Sequence, residues 1–412
     1  MRFFKVLKNK NFFIFSFSQL FSQIGDKVNH FTFFAILKDL APYSAIAFSF
    51  LGAVITLPNI IFSFFAGIIV DRFNRKVIMV ISEILRSLFI FLIIFLGIKL
   101  SSLPLIYFFI FFLFLSTLFS NISKISSIPE FLKSKEEILT ANSFNNFIVR
   151  ISSLIGIIFS GIIIELGVWK KFGFKGYDVV LFLNSFLFLF SALILSFLKI
   201  KGIKKQNKRE FIKDLKEALK IAKGNKKVLF VYFSIIPLVF TGSTIYVLLS
   251  VYLQQILGFG TKGLGFIGGI TSFGMIFSAF LFGNYGKKLN KVKIIGYSFI
   301  LIGILIFSFS FFQKFQFLLL ISFLGGFFLA PIMISQDTII HEEVETSYRG
   351  RIFSFREFFV NLLFIIFSLL NGIFSKIFTI KGALILSPIF LLFLNLFSLL
   401  IYTFKNEKSN YC

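Results

Sequence analysis

Four polar residues in the first long apolar run, Gln19, Gln23, Asp26 and His30, are spaced four, three and four positions apart, which aligns them on one face of a helix. Such a stripe of amides, carboxylate and imidazole can line a cavity, with Asp26 taking up a proton or meeting a cation. The alternative is structural: Asp26 neutralises Lys27, His30 or a neighbouring helix. Glu83 and Arg86 are three apart, a spacing at which opposite charges meet on a helix surface. Arg150 has no acid within helical reach, so its partner comes from another segment or from an anionic ligand. Arg356 and Glu357 are adjacent, cannot face each other on one helix, and each needs a partner from elsewhere.

Other chemistries find little support. The single cysteine is Cys412 and the only histidines are His30 and His341, too few for a disulfide framework or a transition-metal centre. His341-Glu342-Glu343 lacks the second histidine of a zinc-protease helix and falls in an expected loop. The runs Gly258 to Gly263 and Gly263 to Gly268 carry the glycine spacing of dinucleotide-binding turns, but neither follows a strand in a βαβ unit. A Gly-Lys-Ser/Thr phosphate loop is also missing. We therefore expect no metal, no cofactor and no enzymatic activity.

The elements that must hold these residues follow from composition. Of 412 residues 57% are apolar and 15% charged, and 68 are Phe, which excludes an ordinary soluble domain. A spanning helix takes about 20 apolar residues. Apolar runs fall near 11–37, 44–70, 77–98, 103–123, 141–165 and 179–198, then near 228–253, 264–283, 294–312, 317–337, 352–375 and 382–403. The expected fold is all-α, a polytopic bundle of twelve transmembrane helices, with a six-helix domain at 1–198, a central loop at 199–227 and a second six-helix domain at 228–412. Phe211, Leu215, Leu219 and Ile221 in that loop have the spacing of a short amphipathic helix on the membrane surface. The net charge of +25 would suit nucleic acid in a soluble protein, but here the basic residues lie between apolar runs and face lipid headgroups. With the N-terminus cytoplasmic, the inner segments hold 30 of the 43 Lys and Arg and the outer loops 9. Both termini are expected inside a bacterial cytoplasmic membrane, and the basic, apolar N-terminus reads as an uncleaved first helix.

The two halves repeat. Gly67, Arg72, Asn74 and Arg75 recur 216 residues later as Gly283, Lys288, Asn290 and Lys291, while Lys287 stands where the first copy has Asp71. Ser143, Phe144, Phe147, Val149 and Gly161 recur 211 residues later as Ser354, Phe355, Phe358, Val360 and Gly372. Parallel duplication accounts for both. Gly67-Ile-Ile-Val-Asp71-Arg72-Phe-Asn74-Arg75-Lys76 resembles the signature loop of the major facilitator superfamily, with Asn74 in place of the second glycine. Asparagine tolerates a left-handed backbone, so the tight turn is expected to persist. The resemblance implies a conformational latch of Gly67, Asp71, Arg72, Arg75 and Lys76, with Asp71 set against the start of the eleventh helix near Arg349, Gly350 and Arg351. The Phe211 to Lys227 and Tyr348 to Ser354 stretches are similar to the macrolide-efflux-like branch. Proton-antiport exporters often carry a Gly-Pro in the fifth span; Gly156 to Gly161 has no proline.

The resemblance implies a secondary transporter working by alternating access around a midplane cavity, a monomer among membrane lipids. Its implied substrates are amphipathic or lipophilic small molecules, exported with protons as coupling ion. The alternatives are a lysophospholipid flippase, for which Arg150 or Lys27 would meet a headgroup phosphate, and a non-transporting membrane enzyme or sensor.

Overall fold

The computed structural model describes residues 6–132, 134–199, 224–285 and 289–409. Twelve long helices account for nearly all of them: Lys10–Leu40 (α1), Ala45–Arg72 (α2), Arg75–Leu92 (α3), Leu103–Phe131 (α4), Lys135–Ile164 (α5), Gly176–Ser196 (α6), Lys226–Thr244 (α7), Gly260–Tyr285 (α8), Lys291–Phe309 (α9), Phe315–Glu343 (α10), and a run Thr346–Ser409 divided at Thr379 into α11 (346–378) and α12 (380–409). The division is a real break, since Thr379 has φ 62° and ψ 164°. π-Helical segments extend α3 over Ile93–Ile98 and α7 over Ile245–Leu249 and Tyr252–Ile256. Among the described residues there is no strand.

Ten stretches are long and apolar enough to cross a membrane, and one of them, Arg351–Thr403, is 53 residues long and holds both α11 and α12. α1 has the length, 31 residues, but its inward-facing polar stripe lowers its hydropathy. Large apolar side chains left exposed, among them Phe13, Phe108, Phe186, Phe280 and Phe307, are what a protein with lipid as its outer solvent can carry. The chain is an all-α, multi-pass membrane protein.

The described residues gather in two compact units. One comprises those up to Pro42, those from Val54 to 199, and Phe259–Phe266; the other comprises Tyr43–Ala53, those from 224 to Gly258, and those from Ile267 on. In the first unit α1 packs on α5 and α6, and α3 on α4 and α6; in the second α7 packs on α11 and α12, and α9 on α10 and α12. The α1–α6 seam is made by small polar groups, with Ser18 and Ser191 hydroxyls 2.8 Å apart and Asn184 Nδ2 donating to the Gly25 carbonyl at 3.1 Å. Such bonds hold helices together where lipid supplies no hydrophobic drive.

The duplication is written into the helix starts. Asn74 and Asn290 cap α3 and α9, their side chains accepting from Lys76 N at 3.0 Å and from Val292 N at 3.1 Å. Asn9 and Asn225, also 216 residues apart, cap α1 and α7 in the same way. Each then donates across its unit, Asn9 Nδ2 to the Phe131 carbonyl at 2.7 Å and Asn225 Nδ2 to Glu343 Oε2 at 2.9 Å. Those acceptors are the last residues of α4 and α10.

Three expectations need correction. Asn74 has φ −65° and ψ 115°, so it occupies extended backbone and serves as a helix cap rather than as a left-handed stand-in for glycine. α4 and α10 run past the ends of their apolar runs, because serines and capped ends continue the helix where hydropathy has stopped. Lys124, Glu130 and the His341-Glu342-Glu343 segment are therefore helical and not in loops. The expected amphipathic helix and Lys287 lie outside the described residues.

Candidate functional site

In the first unit, four charges from three helices meet in one cluster. Arg86 on α3 pairs with Asp26 on α1, and its Nη1 donates to Glu83 Oε2 at 3.0 Å and to Ser22 Oγ at 2.8 Å. Lys124 on α4 donates to Glu83 Oε1 at 2.8 Å and to Ser22 Oγ at 2.7 Å, and Ser120 Oγ donates to Glu83 Oε1 at 2.9 Å. The face of the Arg86 guanidinium lies 3.8 Å from the Phe188 ring centroid. Two acids and two bases cancel, which is what makes their burial tolerable, since an unpaired charge in a span costs about 2.5 to 3.5 kcal/mol. The Glu83 and Arg86 side chains have no accessible surface, whereas Asp26 keeps 13%. Asp26 is thus the most accessible of the four charged side chains.

The rest of the α1 stripe lies beside this cluster. Gln19 and Gln23 are buried, Gln19 with Oε1 unpaired, and His30 is half-buried with its ring 5.4 Å from that of Phe114. Arg150 is exposed on α5 and has no ionic partner among the described residues. Lys27 has none among them either, and α5 approaches it tightly, since a Cβ on Gly156 would stand 2.8 Å from the Lys27 Cβ.

The signature segment joins the end of α2 to α3. A side chain on Gly67 would meet nothing, Arg72 is exposed, and the Asp71 side chain is outside the described part. Arg75 donates to the Ser126 carbonyl at 2.8 Å and pairs with Glu130, which ties the start of α3 to the last turns of α4. Lys291 does the same in the second unit, reaching Glu342 on α10 at 2.9 Å. Arg349 donates to the carbonyls of Val344 and His341 at 2.9 and 2.7 Å, Gly350 lies in the first turns of α11, and Arg351 stands over the Tyr348 ring.

Two functional candidates escaped the reading of the sequence. Lys124 and Asp337 stand at the ends of apolar runs and look like loop charges, yet Lys124 is 1% exposed and Asp337 pairs with Arg356. A signal for the first was available: Ser116, Ser120, Ser123 and Ser127 repeat at four, three and four, the same stripe spacing as on α1.

A bundle of twelve spanning helices in a duplicated pattern, with compensated charges inside, defines a transporter class. The chain matches the model of the Major Facilitator Superfamily over residues 15–313 and 243–410, and it belongs to that family. Solved structures agree in fold. A nucleoside transporter, NupG, superposes with a TM-score of 0.75 at 13% identity, over 95% of this chain and 99% of that one. A bacterial homologue of the human lysosomal transporter Spinster, inward-facing and unoccupied, gives 0.77 at 12% identity, over 95% of this chain and 96% of that one. At such identities the likeness is one of fold. No curated protein sequence matches significantly. The chain is a transporter rather than an enzyme, of a family whose fold supports secondary transport of small molecules by alternating access.

Proposed function

We propose that this protein is a proton-coupled exporter of amphipathic or lipophilic small molecules in the cytoplasmic membrane, with both termini inside and the halves 1–198 and 228–412 as its rocking bodies. The observation that carries this reading is the Asp26–Arg86 pair, which bridges α1 and α3 with only the carboxylate accessible. Protonating Asp26 removes one of the two acids that hold Arg86 and leaves the cluster one positive charge in excess. A bound proton therefore weakens the α1–α3 bridge, which couples titration to helix movement. The residues of the signature segment act alongside as a conformational latch that is broken and remade during alternating access.

The test is efflux from energised vesicles of macrolides, cationic dyes and lysophospholipid, for the native protein and Asp26→Asn, with and without a protonophore. Efflux of a drug-like compound that collapses in both the variant and the protonophore control supports the reading. Movement of lysophospholipid alone, unchanged in Asp26→Asn, overturns it. That outcome selects the flippase, the second reading, which Lys27 and Arg150, cations with no ion-pair partner among the described residues, favour because they suit a headgroup phosphate.

A further inference from the structure

The first unit carries an apolar groove that lies apart from its charge cluster. α5 and α6 each pack along α1 but touch each other little. Glycines seat both helices: a Cβ on Gly156 of α5 would stand 2.9 Å from the Ile24 carbonyl of α1, and one on Gly25 of α1 would stand 2.8 Å from the Phe188 ring of α6. Between the two walls Ile24 and Val28 of α1 form a floor, while Phe159 of α5 and Phe190 and Leu193 of α6 stand exposed along the sides. The groove has a volume of about 670 Å³. Its two polar wall residues are turned into the protein: Ser160 Oγ donates to the Ile157 carbonyl at 3.1 Å and Asn184 Nδ2 to the Gly25 carbonyl at 3.1 Å, with Asn184 Oδ1 buried and unpartnered.

The duplicated half fills the corresponding space with its own side chains. Phe240 of α7 stands 216 residues after Ile24, and Phe367 of α11 stands 211 residues after Gly156. The rings of Phe367 and of Phe390 on α12 lie 5.4 and 4.9 Å from that of Phe240. Three aromatic side chains therefore bridge α7, α11 and α12 where the first unit has an isoleucine, a glycine and a gap.

A lipid chain lying on an even helical surface touches it on one side; in a groove it makes dispersion contacts on three, and a gap left empty forfeits them. From Val180 to Leu193 the α6 wall runs about 20 Å at a rise of about 1.5 Å per residue, enough for the ~15 Å that one leaflet contributes to a hydrocarbon core of about 30 Å. At the loop end, Trp169 Nε1 donates to the carbonyl of the wall residue Ile163 at 2.7 Å, and Lys171 is exposed two residues further on. An indole and a lysine at the end of an apolar cleft suit the membrane interface and an anionic headgroup. The carboxylates nearby are engaged, Glu165 accepting from Thr261 N and Asp178 from Lys175 N. We propose that this groove binds one acyl chain of a bilayer phospholipid, with the anionic headgroup at Lys171. The site is independent of the export reading, since it needs only that α1, α5 and α6 span a membrane.

The experiment uses the purified full chain in phosphatidylcholine nanodiscs and follows the fluorescence of Trp169, the only tryptophan. The quencher is a small fraction of phosphatidylglycerol carrying a dibrominated acyl chain. The expected result is quenching about tenfold stronger than the bromolipid's share of the bilayer gives. The excess should be lost in Ile24→Phe, which supplies the ring that the second unit has, and kept in Ile304→Phe on the exposed face of α9. Moving the reporter to that face, with Trp169→Phe and Phe307→Trp together, sets the level for lipid on an ordinary surface. Native quenching that only follows the bromolipid's share, or an excess that survives in Ile24→Phe, overturns the proposal. An equal preference for a brominated free fatty acid overturns it too. If Ile24→Phe fails to fold, the comparison of Trp169 with the α9 reporter decides. Asp26→Asn retains the excess, so failure of the Asp26 reading and failure of this one are separable.

Discussion

At the scale of residues, the clusters in the two units show how a membrane protein keeps charge inside its spans. Glu83 accepts from Arg86, Lys124, Ser22 and Ser120 with no accessible surface of its own. Removing its charge takes from Lys124 the carboxylate it pairs with and leaves Arg86 with Asp26 alone, and breaking a buried pair in this way costs about 3 to 5 kcal/mol. Glu83→Gln should therefore lower thermal stability in detergent sharply, and Glu83→Gln combined with Lys124→Met should recover part of the loss. A double variant as unstable as the sum of its singles would show that the two side chains do not interact. Asp26→Asn should be milder, because Arg86 keeps its bonds to Glu83 and Ser22. Its effect belongs mainly to transport, where the efflux assay reads it.

At the scale of elements, helix starts decide more than helix interiors. The four capping asparagines, Asn9, Asn74, Asn225 and Asn290, satisfy first-turn amides and set the register from which each helix presents its inward face. For Asn74, Asn→Ala should cost about 0.5 to 2 kcal/mol and Asn→Gly only a few tenths, read as shifts in thermal unfolding. A glycine that stabilised the protein would point instead to a left-handed backbone at this position. Arg75 with Glu130 and Lys291 with Glu342 then fasten the same ends to α4 and α10. Gly258 and Gly260, with φ 72° and 63°, make the turn into α8 that a side chain would strain.

At the scale of the whole molecule, orientation can be read from a residue the chain already carries. Cys412 is its only cysteine, so a membrane-impermeant maleimide should label intact cells only after permeabilisation if the C-terminus is cytoplasmic. Labelling of intact cells would reverse the topology. Much of the architecture was legible beforehand: twenty-residue apolar runs leave the backbone no choice but helix in lipid, and the 216-residue echo of Gly67, Arg72, Asn74 and Arg75 disclosed the duplication. The i, i+3 spacing of Glu83 and Arg86 likewise announced that these two would meet, because a helix alone places them side by side. Partners on other helices were not legible. That Asp26 reaches Arg86, that Lys124 turns inward to Glu83, and that Arg356 finds Asp337 depend on how separate helices rotate and pack, and hydropathy carries no information about rotation. Local sequence determined the spans, their repeat and the faces that carry charge; only tertiary packing decided which charges neutralise one another and which carboxylates keep accessible surface.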